Sequence, residues 1–210
     1  MIKSFLIFLL AASFSSCGVI KVAEYADLVG TIAFGATDII VDQEFYDAQA
    51  FSFAKVSLGR NKTAIVTLGI IDGETLQWFS SSKSGIYTQN GKITSLIDFS
   101  NDVDIASAKK IQFNKTKSQK NLINVSLKDP DGFFLQDADL KFKTSEEIEY
   151  FQKTLKADLY IETITTQGLR WNYENKYWIN PSSGLVIKSE QTVHPRLPRI
   201  TISYYYKYLD

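Results

Sequence analysis

The sequence predicts a mainly β protein, an antiparallel meander closing into a barrel-like or sandwich domain with a short N-terminal helix. Three observations carry that expectation. Segments rich in β-branched and aromatic residues recur from Lys62 onward at roughly 8–12-residue spacing, the rhythm of all-β domains. The dipeptides Asp72-Gly73, Ser84-Gly85, Asn90-Gly91 and Asp131-Gly132 punctuate them as turns. The 210 residues are 45% hydrophobic and 13% aromatic, which suits a packed core and excludes intrinsic disorder.

The chain begins with a different kind of segment. Lys3 supplies a positive charge, Phe5 to Ala12 form an unbroken apolar run, and small residues lead to Ser15-Ser16 and the single cysteine, Cys17. This is the order of a secretory signal peptide, and the run is too short for the roughly 20 apolar residues of a spanning helix. Phe14-Ser15-Ser16-Cys17 resembles a bacterial lipobox, with Phe14 where Leu is usual. The expectation is a signal peptide over residues 1–16 and one lipid-anchored β domain over 17–210, with diacylglycerol and an N-acyl chain such as palmitate on Cys17. Each buried CH₂ contributes about 0.8 kcal/mol, so several such chains anchor a protein effectively permanently. Gly18 rather than Asp after the cysteine fits the outer membrane, by resemblance to enteric lipoproteins.

Within the β domain the elements follow in order. Val22, Ala23, Ala26, Leu28, Val29 and Ile32 recur at helical spacing, which predicts a short amphipathic helix within Ile20 to Phe34. Ala50 to Val56 alternates as a strand. Thr63 to Ile70 is a β-branched run suited to a strand buried on both faces. Leu76 to Ser80 restarts after Asp72-Gly73, and Asn90-Gly91 joins Gly85–Thr88 to Lys92–Leu96 as a type I′ hairpin. Lys120 to Leu127 and Leu140 to Thr144 read as further strands. Thr144-Ser145-Glu146-Glu147 has capping-box spacing, yet Ile148 and Tyr150 also fit a period of two; the segment 145–156 reads as strand, with a helix as the rival reading. Asp158 to Thr166 and Leu169 to Tyr173 continue the β pattern. Tyr177-Trp178-Ile179 and Leu185–Gln191 flank a turn bearing Pro181 and Gly184, His194 to Pro198 breaks the ladder, and Ile200 to Leu209 forms a last strand.

Three patches together resemble the YjbF/GfcB family of bacterial lipoproteins, linked to group 4 capsule and exopolysaccharide export. They are Ala64–Gly69 leading to Leu76–Ser80, Gly85–Ser95, and Tyr177–Pro181 through Gly184, Lys188–Gln191, His194-Pro195 and Leu197-Pro198. The resemblance implies a barrel-like domain on the periplasmic face of the outer membrane. It also implies assistance to polysaccharide secretion or assembly, with polysaccharide-export proteins as partners.

The residues themselves narrow the chemistry. With 23 Lys+Arg against 23 Asp+Glu the formal charge is zero, so no basic footprint for nucleic acid is present. One histidine and one cysteine make no metal constellation, and no phosphate loop or nucleophile elbow occurs. No cofactor and no catalytic residue is expected. His194, beside Pro195, reads as a turn or surface residue. Glycoside chemistry needs two facing carboxylates, and spacing selects no pair among Glu162, Glu174 and Glu190. Trp78, Trp171, Tyr173, Trp178 and Gln191 are the candidate glycan or partner surface, against the competing reading that aromatics fill the interior. Tyr204-Tyr205-Tyr206 places rings on both faces of the last strand and suggests a docking surface. Gly85, Gly91 and Gly184 read as turn glycines at positive φ, and Thr88, Thr94 and Gln191 as ladder residues or the lining of a polar groove. The expected role is non-enzymatic and accessory to polysaccharide secretion, acting through a partner or a glycan. The alternatives are a barrel-cavity carrier of lipid or glycan and a glycan-modifying enzyme.

Overall fold

The structure is a computed structural model that describes residues 39–59, 63–81, 84–97, 103–105, 111–128 and 131–207. The helix expected within residues 20–34, and Cys17 with its lipobox, lie outside these. Among the described residues there are one short helix and twelve strands. The helix α1 (Gln43–Ala48) starts at Asp42, whose carboxylate accepts the Phe45 amide at 2.8 Å. The strands are β1 (Phe53–Leu58), β2 (Thr63–Asp72), β3 (Thr75–Phe79), β4 (Gly85–Gln89), β5 (Lys92–Ile97) and β6 (Val103–Ile105), then β7 (Gln119–Leu127), β8 (Gly132–Tyr150), β9 (Lys153–Thr166), β10 (Asn172–Ile179), β11 (Val186–Gln191) and β12 (Ile200–Tyr205). Each strand pairs antiparallel with its sequence neighbours, and β12 returns to β1, closing the meander into a barrel. Closure removes the open edges that would otherwise invite aggregation.

Alternation sets the inward face. Asn121, Ile123, Val125 and Leu127 of β7 are buried while Lys120, Leu122 and Asn124 between them face solvent. Ile200, Ile202 and Tyr204 of β12 point inward in the same way and join Trp78, Ile93, Leu140 and Ile164 in one core. One hydrogen bond crosses the barrel interior: the Ile93 amide donates to the side chain of Gln191 on β11, far around the sheet from β5, at 2.9 Å. Asn90 (φ 46°) and Gly91 (φ 73°) form the hairpin turn that the Asn-Gly pair predicts. Gly91 is required twice over, because a Cβ there would lie 2.6 Å from Cγ1 of Val186.

The β8–β9 hairpin outgrows its neighbours. β7 pairs with β8 only as far as Leu140, and β10 pairs with β9 only from Asp158, so the remaining ribbon is a two-stranded flap. A bulge between Phe142 and Thr144 marks its base. Ile148, Tyr150 and Leu155 of the flap pack over the outward residues Trp178 and Ile187. At its tip Phe151 meets Tyr46 of α1 edge-on, with ring centroids 4.7 Å apart. Segment 145–156 is therefore strand, turn and strand. The capping-box helix loses because the period-two face of Ile148 and Tyr150 has an apolar surface to cover, and Glu146 accepts the Trp178 indole N–H at 2.6 Å.

Several sequence expectations need correction. β2 is not buried on both faces: Val66 is its buried residue, whereas Ile70 and Ile71 are 50% and 56% exposed. β1 pairs only with Thr63–Thr67, so the end of β2 projects past it as a ribbon with β3. Gly85 is not a positive-φ turn residue; it opens β4, where a Cβ would press on Tyr87 at 3.3 Å. Leu169 to Trp171 belong to the turn before β10 rather than to a strand. His194 is in the ladder break as expected, but it is fully buried, pairing Nε2 with the Lys128 carbonyl at 3.0 Å and accepting the Arg196 amide on Nδ1.

Candidate functional site

Two features stand out, one inside the barrel and one at its end. The interior feature is built from β5, β9, β10 and β11. Lys92 and Glu162, 4% and 1% exposed, meet at 2.5 Å. The other carboxylate oxygen of Glu162 accepts the Tyr177 hydroxyl at 2.9 Å and the Asn175 amide at 3.3 Å. Gln191 lies beside this group, taking the Ile93 amide on its carbonyl and donating to the Gly91 carbonyl at 2.7 Å and the Ser189 hydroxyl at 2.9 Å. The Tyr204 hydroxyl donates to the same Gly91 carbonyl at 3.1 Å. Burial, reinforced by the Glu162 charge, pushes the Tyr177 and Tyr173 hydroxyls far above the ordinary tyrosine range, so both are neutral donors at neutral pH.

Chemically this is a lock. Opposite charges cancel within it, and nearly all its donors and acceptors are spent on one another. The adjoining cavity, bounded by Gln136, Tyr173, Asn175 and Gln191, has about 10 Å³ of space, room for roughly one water. Among the described residues Glu162 has no carboxylate partner: Glu174 is exposed, and Glu190 faces Lys188 at 3.5 Å and Arg199 at 3.7 Å. Among the described residues no group of three or more His, Cys, Asp or Glu is placed to hold a metal ion, and no helix is long and apolar enough to cross a membrane.

The second feature lies where the β2–β3, β4–β5 and β10–β11 turns meet. A pocket of about 230 Å³ opens there, with Leu76, Phe113, Leu185 and Tyr206 in its walls and Glu74 and Asn90 in its lining. The three turns are separated by long stretches of sequence, and each contains a turn motif that the sequence singles out.

A family model described as group 4 capsule polysaccharide lipoprotein GfcB, YjbF matches residues 26–204. The chain belongs to the YjbF family. In fold it is similar to the hypothetical lipoprotein YmcC from Escherichia coli (K12), with a TM-score of 0.69 and 14% identity, covering 92% of this chain and 98% of that one. A chain from Parabacteroides distasonis described as a lipoprotein gives a TM-score of 0.39 at 11% identity, with 74% and 92% covered. No curated protein matches the chain.

The YjbF patches turn out to be mostly interior. Trp78 is 1% exposed, donating its indole N–H to Thr88 at 2.9 Å and tilting against Tyr204, so it is a core residue and not part of a surface. Gln191 is likewise fully buried in the lock. Thr88 and Thr94 are buried partners of Trp78 and of the Tyr87 carbonyl. Trp178 faces outward, as its opposite parity to Tyr177 requires, but the flap covers it and Lys188 lies over its ring at 4.6 Å. Trp171 and Tyr173 share a face, with ring centroids 4.5 Å apart, and rest half-buried on the core. Tyr204 and Tyr206 stack inward at 5.8 Å, while Tyr205 is covered by Phe53 and Tyr150, so of the triplet only Tyr206 borders open space, in the end pocket. Pro181 and Gly184 (φ 72°) form the expected turn.

Sequence reasoning missed Lys92 and Phe113. Lys92 follows an Asn-Gly turn and reads as an exposed hairpin lysine; nothing local signals that the hairpin folds into the barrel. Phe113 sits in a non-strand connection where no periodicity assigns it a face.

Proposed function

We propose that this YjbF-family chain is a non-enzymatic lipoprotein accessory to capsule or exopolysaccharide secretion, held by Cys17 on the periplasmic face of the outer membrane. Residues 1–16 serve as its signal peptide, and the domain acts by binding export proteins or the polysaccharide. The observation that carries this reading is the family match across residues 26–204, nearly the whole β domain. The packed interior supports it: a carrier needs a cavity, and here core side chains and the Lys92–Glu162 lock take that space. A retaining or inverting glycosidase needs two carboxylates facing one cleft, and Glu162 is instead tied to a lysine.

The test is genetic and biochemical. A Cys17→Ala chain leaves the outer-membrane fraction, and globomycin causes the unprocessed precursor to accumulate. Deleting the gene lowers surface polysaccharide, and the wild-type chain restores it while Cys17→Ala does not. An unchanged amount of surface polysaccharide after deletion overturns the secretion role.

A further inference from the structure

The end pocket is the feature that neither the barrel nor the family explains. We propose that it binds one pyranose ring of a polysaccharide. This deepens the glycan-binding reading above and rests on it.

Shape and chemistry both point to a sugar ring. A pyranose has apolar C–H faces and a hydroxyl edge, so its site pairs apolar walls with polar groups at the lip. Leu76, Leu185, Phe113 and Tyr206 supply the walls, and the exposed Glu74 and Asn90 supply the polar lining. The walls are fixed before any ligand arrives. Tyr206 donates its hydroxyl to the Val186 carbonyl at 3.0 Å and stacks on Tyr204, and Phe113 packs against Tyr160 and Tyr177 at 5.0 and 5.7 Å. Asn90 is held by its amide donating to the Ile111 carbonyl at 3.0 Å. Such preorganisation lowers the ordering cost of binding.

The floor excludes an acyl chain. Gly91 touches Val186 so closely that no Cβ would fit, and below them the Gln191 and Tyr204 side chains bind the Gly91 carbonyl. Among the described residues these contacts close the Gly91 side of a pocket of about 230 Å³. A ring fits such a space and a long tail does not. A Cβ on Gly73 or Gly184 would meet nothing within 4 Å, so the rim is open at both turns.

The experiment uses the chain from residue 17 carrying Cys17→Ala, labelled at its leucine, isoleucine and valine methyls. It is titrated with methyl glucoside, methyl galactoside, N-acetylglucosamine, glucosamine, glucuronic acid and decanoate. The expected result is saturable shifts of the Leu76, Leu185 and Val186 methyls with at least one of the sugars and none with decanoate. Ile71→Trp fills the rim from an exposed position and weakens that response about 10-fold, with the rest of the spectrum unchanged. No saturable shift with any sugar, a response indifferent to Ile71→Trp, or saturation by decanoate instead overturns the proposal. The readouts separate it from the secretion role: sugar binding that persists where deletion leaves capsule unchanged sinks that role alone. Failure to bind, with capsule still dependent on the gene, sinks the pocket alone.

Discussion

Around Trp178, Ile187 and Tyr205 both faces of strands β10 to β12 are buried, but by opposite chemistry. Inward, Tyr177, Ser189, Gln191 and Tyr204 hydrogen-bond to β5, the β4–β5 turn and β9 around the Lys92–Glu162 pair. Outward, Trp178, Ile187 and Tyr205 are roofed by the β8–β9 flap and α1 through ring contacts, with Tyr205 stacked against Phe53 at 4.9 Å and Tyr150 at 5.3 Å. Adjacent tyrosines in one strand thus do different things: the Tyr204 hydroxyl closes a polar lock, while the Tyr205 ring supports a removable cover. A polar lock is specific and fails abruptly when one member is lost. An apolar roof is tolerant and opens locally.

Alkali gives the largest effect, acting on both faces together. Burial raises the hydroxyls of Tyr173, Tyr177, Tyr204 and Tyr206 on the inner side and of Tyr150 on the outer side. Below the ordinary value of 10.0 both folded and unfolded chains keep these protons. Above it the unfolded chain releases them while the folded chain retains them, so stability falls as pH rises through that value. Phenolate absorbance should therefore lag, then rise in one step together with loss of the near-ultraviolet circular dichroism. A gradual rise centred on the ordinary value with the fold intact would sink the account.

Next in size is Lys92→Met, which strands the Glu162 carboxylate in the core and should cost about 3–5 kcal/mol in urea unfolding. Adding Glu162→Leu removes the orphaned charge and recovers much of the loss. A double variant no better than the single one would mean that the lysine acts by packing rather than by charge.

On the outer face, Tyr205→Ala should cost about 3 kcal/mol, but its signature is local. Amide exchange speeds up first over the flap, residues 145–156, while Ile93, tied to Gln191, stays protected. Equal acceleration at both places would erase the distinction between lock and roof.

The smallest effect is a gain. Phe151 and Gln152 make the flap turn at φ 58° and 54°, a left-handed region costly to residues with a Cβ. Gln152→Gly should stabilise the chain by about 1 kcal/mol, read as a higher urea midpoint. A loss would show that Gln152 makes contacts worth more than its strain.

What could be read from the sequence was local. The Asn90-Gly91 turn, the Asn180–Gly184 turn and the alternation of β7 and β12 are properties of a few adjacent residues, because turn geometry and the two-residue strand period act at short range. The same parity placed Tyr177 and Trp178 on opposite faces. What covers a face is a long-range matter, and there the local reading failed. Trp78 was eligible for a surface until Tyr204 came to lie against it. Glu146 belonged to a capping box until Trp178 claimed its carboxylate.

By itself, then, the sequence determined an all-β meander, most of its turns and its family. Tertiary structure alone decided that the Asn90-Gly91 hairpin folds inward, that Lys92 meets Glu162, and that three distant turns enclose one pocket. The physical reason is that strand period and turn type are set by neighbouring residues. Closure of the barrel, by contrast, brings side chains 70 to 100 positions apart into hydrogen-bond range, and no local pattern encodes those partners.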